Sequence, residues 1–272
     1  MIGRLSAIVL LLATFGIRAE AADRQPLNPS GKWAIAYENE MCILSRDFGA
    51  GERKLALAMQ GLPTVNHLTL ALAVTDHAIS DQGEAKLTLL PSNRTVSARF
   101  TRAQRANSSG VLVLMPFDRS ELPNLAASTG FALTAGKALD VVLASGSMAK
   151  ALTALKTCED QLVRSWGFDP AVIASVSRKA EPITSPAIWV VNSDYPPDAK
   201  RAGAQGTSNV RWTIDTDGVA RNCIVIQSAG FASLDQKACA MVELRVRYRP
   251  ALDAQGKPVA VFASRRFVWG LP

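Results

Sequence analysis

Histidine is nearly absent: the 272-residue chain has two. A His-rich metal centre is therefore not expected. None of the four cysteines forms a C-x-x-C pair, which leaves zinc-ribbon and thioredoxin-like chemistry without its ligands. No G-x-S-x-G elbow is present to present a serine nucleophile. There is only one long apolar run, too short to cross a bilayer comfortably, which excludes a multi-span membrane protein. Internal repeats and low-complexity tracts are missing too. Charged residues are few, 19% against 48% hydrophobic, so the chain has the apolar content to offset its ordering entropy and is not disordered as a whole.

What is present is the composition of a globular protein of one or two domains. Lys and Arg total 30 against 23 Asp and Glu, a net charge of +7. That excess is moderate, and nucleic acid is not an expected partner. Met1 to Arg4 is a basic start, Leu5 to Ile17 is an apolar stretch of about 13 residues, and Ala19-Glu20-Ala21 has the small-x-small pattern of a cleavage site. Residues 1–21 read as a signal peptide cut after Ala21, with an exported mature chain. An uncleaved inner-membrane anchor is the alternative. No lipobox cysteine follows the run.

Residues 22–170 read as a mostly-β domain. His67 to Val74 has leucine at every second place, as a half-buried strand does. Lys86–Leu90 and Thr95–Phe100 flank the turn cluster Pro91-Ser92-Asn93. Strands at this spacing suggest a sandwich or an open barrel. One helix closes the region, capped by Ser147, with Ala149, Leu152, Leu155, Cys158 and Leu162 at helical spacing. His67 and His77 lie at opposite ends of one predicted strand. At about 3.3 Å per residue they cannot share a metal within it. Asp76-His77 and the scattered serines form no convincing catalytic set. No catalytic residue, metal ligand or cofactor is expected. Residues 171–192, with Pro182 and Pro186, read as a linker, and its stretch 171–187, about 17 flexible residues, would span roughly 20–25 Å.

Residues 193–272 read as helix, hairpin, helix, strand. Val210, Trp212 and Ile214 alternate on one strand face, Asp217-Gly218 is a hairpin turn, and Cys223–Ile226 is the return strand. Ser233 is expected to cap a helix whose stripe is Leu234, Ala238, Met241 and Val242. The ordered marks are Tyr195-Pro196, Gly206, Asp215-x-Asp217-Gly218, Val225-x-x-Ser228-x-Gly230, Leu234-Asp235, Arg249-Pro250-Ala251 and Gly256-Lys257-Pro258-Val259. This series resembles the TonB C-terminal domain family. The fold class is therefore α+β: a mostly-β domain closed by one helix, then a TonB-like domain with a three-stranded antiparallel sheet and a long edge strand.

The resemblance implies a periplasmic binding module that adds an extended partner segment to its sheet edge. The implied receiving edge is Val259 to Val268, with Val259, Val261, Phe262, Arg265, Arg266 and Val268 as partner-binding residues. Arg265 and Arg266 serve equally well as edge protection against aggregation. The implied partner is an envelope protein, with a TonB-dependent outer-membrane transporter as the leading class. A homodimer through the edge strand is a further mode. A full energy transducer would need an uncleaved N-terminal helix and a long Pro-rich spacer, so transduction is the alternative function, and an N-terminal enzyme a third. Export favours disulfides. Of three connectivities, the domain division favours Cys42–Cys158 and Cys223–Cys239.

Overall fold

The computed structural model describes residues 25–271 apart from 39, 64–65, 76–77 and 105–109. The signal-peptide reading of residues 1–21 and the Asp76-His77 pair lie outside the described residues.

Nine strands build one antiparallel sheet: β1 (Ala34–Glu38), β2 (Met41–Phe48), β3 (Leu55–Gly61), β4 (His67–Val74), β5 (Gln82–Leu90), β6 (Arg94–Gln104), β7 (Val111–Asp118), β8 (Gly130–Ala135) and β9 (Leu139–Leu143). A short helix, α1 (Leu122–Ala127), lies between β7 and β8. The spatial order is β1-β2-β3-β4-β7-β6-β5-β8-β9. Residues 27–30 tie β9 to β2, beside the terminal strand β1. Leu27 pairs with Leu143 of β9, and Pro29 pairs with Phe48 of β2. Backbone bonds Leu27 N to Val142 O and Gly49 N to Asn28 O secure both sides of that seam. The sheet thus closes on itself as a barrel rather than a two-layer sandwich.

The alternation seen in the sequence is the alternation of burial. Leu68, Leu70 and Leu72 of β4 point inward and are buried, as are Cys42, Leu44 and Phe48 of β2. The closing helix α2 (Ala149–Ser165) adds Ala151, Leu155 and Leu162 to the same core. Its expected cap is displaced: the N-cap is Met148, with no side-chain bond. Its buried stripe also includes Glu159, which no apolar periodicity announces. Arg119 donates to both carboxylate oxygens of Glu159, at 2.6 and 3.0 Å. Gly61 makes room for that carboxylate, since a Cβ there would fall 2.0 Å from Oε1. Cys42 and Cys158 are bonded and staple α2 to β2.

The expected linker carries short elements that hydrogen-bond to the C-terminal domain. Helix α3 (Pro170–Ala174) leads to β10 (Glu181–Pro182), and α4 (Pro197–Arg201) precedes the second sheet. That sheet comprises β11 (Gly206–Ile214), β12 (Ala220–Gln227) and β16 (Val261–Trp269). Between them come α5 (Ala232–Arg245), β13 (Tyr248–Arg249), β14 (Ala251–Leu252) and β15 (Pro258–Val259). β10 pairs with β13, and Arg178 bridges to Leu252 of β14. Val210, Trp212 and Ile214 pack with Leu234, Ala238 and Val242 of α5 in a second core. Gly218 turns the hairpin at φ +80°, and its carbonyl accepts from Tyr248 N. A left-handed residue without Cβ is required there, because a Cβ would fall 2.0 Å from Tyr248 O. α5 begins at Ala232 with Phe231 as N-cap, which puts Ser233 inside the helix rather than at its cap.

Candidate functional site

The order of the small sheet is β12-β11-β16, so it has two edges, and they are built differently. β12 is irregular. Its register with β11 shifts twice, and Asn222 sits at φ +53°. The carboxylate of Glu243 on α5 accepts from Cys223 N at 2.8 Å. A disulfide from Cys223 to Cys239 bolts the strand to the same helix. Bulges and covering groups of this kind deter a further strand.

β16 is regular. It pairs with β11 without a break over nine positions, from Gly206↔Trp269 to Ile214↔Val261. Among the described residues no strand pairs with its other side. Every second backbone donor and acceptor of a strand paired on one side only points outward.

The six sequence-predicted binding residues divide into distinct settings. Val259 belongs to β15 and is paired with Ala251 of β14, so its backbone is engaged apart from the β16 edge. Val261 starts β16 and packs against the α5-side core. Arg265 is also on that face, with its guanidinium carbon 5.2 Å from the centre of the Trp189 ring. Phe262, Arg266 and Val268 alternate onto the opposite face. Val268 is 77% exposed. Arg266 is exposed and forms no ion pair among the described residues.

Phe262 meets the barrel domain. Its ring is 5.0 Å from Trp166 and 5.2 Å from Phe168, both edge-to-face. Trp166 follows α2 and donates through Nε1 to Glu40 Oε2 at 2.5 Å. Tyr37 OH donates to the other oxygen of Glu40 at 2.9 Å. The Arg211 guanidinium of β11 lies 4.1 Å from the centre of the Trp166 ring. Burial lowers the Arg211 pKa, and Glu40 and Tyr37 oppose that shift. The sequence reading missed this cluster because its members, Tyr37, Glu40, Trp166, Phe168 and Arg211, are far apart in the chain.

The far end of β16 is fixed by a buried carboxylate. Asp235 on α5 accepts from Ser208 Oγ at 2.6 Å, Ser228 Oγ at 2.5 Å and Ala229 N at 2.9 Å. Trp269 Nε1 donates to Ser208 Oγ at 3.0 Å. The motif residues Ser228, Gly230 and Asp235 thus join the start of β11, the end of β12, the helix and the end of β16. Their role is scaffold. Asp194 and Arg245 make a second tie, with Arg245 donating at 2.5 and 2.8 Å. Burial raises the Asp194 pKa, but the Arg245 bonds outweigh it and the net direction is down.

The family described as Gram-negative bacterial TonB protein C-terminal matches residues 191–271. The C-terminal domain belongs to the TonB C-terminal domain family. The solution NMR structure of the Pseudomonas aeruginosa TonB C-terminal domain is similar at 25% identity. The match covers 34% of this chain and 85% of that chain, with a TM-score of 0.27. No curated protein matches. The TonB C-terminal match implies a cell-envelope protein with a role related to the TonB system. Among the described residues no helix is long and apolar enough to cross a membrane, which leaves β-barrel spanning untouched. Both disulfides join the cysteines that the domain division pairs.

Proposed function

We propose that this is a periplasmic protein that captures an extended segment of an envelope partner by strand addition along β16. The observation that carries the reading is the contrast between the two edges. β12 is bulged, bonded to Glu243 and tied to α5, whereas β16 is nine residues long, regular and paired on one side. Strand addition draws affinity from backbone bonds and selectivity from alternate side chains. A periplasm-facing segment of a TonB-dependent outer-membrane transporter has the required extended form.

Hydrogen exchange of the full exported chain tests this, with synthetic peptides copying periplasm-facing transporter segments as the probe. Outward amides of residues 261–269 should gain protection on binding while those of β12 do not. Protection on β12 alone, or no binding by any peptide, would overturn the reading. N-terminal sequencing of the exported protein should begin at Ala22. An intact Met1 in the inner-membrane fraction would favour the anchored transducer instead.

A further inference from the structure

An added strand at β16 has two faces, and one of them looks toward the barrel domain. Phe262 is the β16 residue on that face, and Trp166 and Phe168 are the barrel-side rings against it. All three rings are only half-buried. A residue paired opposite Phe262 would place its Cβ about 4.5–5.5 Å from that of Phe262, on the same face. It would therefore arrive beside a half-exposed aromatic group to which both domains contribute. Four residues along β16, on the same face, stands Arg266, exposed and without an ion pair among the described residues. Arg265 differs, since its guanidinium already lies on Trp189.

We propose that the barrel domain takes part in reading the captured strand. The preferred segment carries an apolar side chain against Trp166, Phe168 and Phe262 and an acidic side chain four residues away against Arg266. This inference rests on strand addition at β16 and adds the partner's side-chain chemistry to it. The partner is thus an extended peptide segment with an apolar and an acidic residue on one face, and the barrel domain is part of its binding site. Phe168 is the more informative position to vary, because Trp166 also holds Glu40 and Arg211.

The experiment uses the full chain and peptides in which the two facing positions are varied independently, with affinity and β16 hydrogen exchange read together. Phe168→Ala should weaken peptides with Leu or Phe at the apolar position by about five- to tenfold, the scale of one lost aromatic contact. Peptides with Gly there should bind as before. Phe168→Leu should lie between. Arg266→Glu should reverse the acidic preference in favour of Lys. Circular dichroism melts of each variant establish that the fold is kept. If peptides protect β16 but Phe168→Ala and Phe168→Leu discriminate among them as the wild type does, the barrel plays no part in recognition, and if Arg266→Glu also leaves the acidic preference unchanged the charge reading falls too, while strand addition stands. If no peptide protects β16 in the wild type, strand addition itself fails.

Discussion

The two sheets of this molecule treat their edges in opposite ways. The large sheet closes between β9 and β2, where residues 27–30 bridge them, and among the described residues only the five-residue β1, paired with β2 alone, keeps a free side; α2 is bonded to β2 through Cys42–Cys158. The small sheet stays open at β16 and is blocked at β12. Closure removes the row of outward-pointing backbone groups that makes a sheet edge adhesive. Leaving one long regular edge exposed carries an aggregation hazard, which charged side chains within such a strand can offset. Strand content and an open edge are therefore independent: a domain built mostly of strands can close its sheet while a small sheet beside it leaves one long regular strand unpaired on one side.

Proline tests the comparison most severely. β4 is bonded on both sides, to β3 and β7, and Leu70 is 3% exposed. Leu70→Pro removes a ladder bond in a central strand and should abolish the folded barrel. Val261 is the first residue of an edge strand, where proline is tolerated. Val261→Pro should fold and lose peptide capture. Circular dichroism and peptide binding read the two outcomes, and a Val261→Pro protein that folds and captures peptides at wild-type strength would remove β16 as the receiving edge.

The disulfides come next. Cys42–Cys158 closes a separation of 116 residues and Cys223–Cys239 one of 16. The chain-entropy model puts their contributions at about 4.7 and 3 kcal/mol. Urea unfolding of the two double-alanine variants should show the larger loss for the first pair. An inverted order would mean that the barrel is held by its closure rather than by its staple.

The long helix of each domain, α2 and α5, also buries one carboxylate, and the two are satisfied differently. Glu159 faces the guanidinium of Arg119, and Asp235 faces hydroxyls and a backbone amide. Glu159→Ala should cost about 3 kcal/mol by leaving a cation without its partner. Asp235→Ala should cost about 2 kcal/mol by leaving neutral donors unsatisfied. Equilibrium unfolding compares them directly.

The smallest effect is electrostatic and should be shared. Arg94 holds Glu121 of the barrel domain at about 2, and Arg221 holds Asp217 of the hairpin at about 2. A carboxylate lowered on folding stabilises fully above its unfolded value of roughly 4 and loses that contribution as pH falls toward about 2. Both groups are at the surface, where screening keeps such contributions small. Carboxyl-carbon NMR titration should find both midpoints below the ordinary range, and Glu121→Gln and Asp217→Asn should each flatten that acid limb slightly.

Much of this architecture was legible in the chain. The leucine alternation of β4 and the Asp217-Gly218 turn are local signals, and local physics decided them. The disulfide pairing followed from the domain division. Other features depend on long-range assembly. The closure at Leu27 requires two strands that are remote in sequence. Glu159 breaks the apolar stripe of α2, and the Arg119 guanidinium makes its burial tolerable. The edge strand expected from Val259 to Val268 is split, because Pro258 and Val259 pair with β14 while β16 begins at Val261. Phe262, Trp166 and Phe168 meet only because the domains do.

Within residues 171–192, the stretch 177–183 bonds its backbone to the C-terminal domain, at Arg178–Leu252, at Glu181–Arg249 and at Ile183–Arg247. That stretch is anchored on the C-terminal side, and Phe262 against Trp166 and Phe168 adds a direct contact with the barrel. The molecule should tumble as one particle, with a radius of gyration of about 18 Å for some 250 residues. A partner gripped at β16 would then be held at a constant distance and bearing from the barrel, as by a bracket rather than a leash.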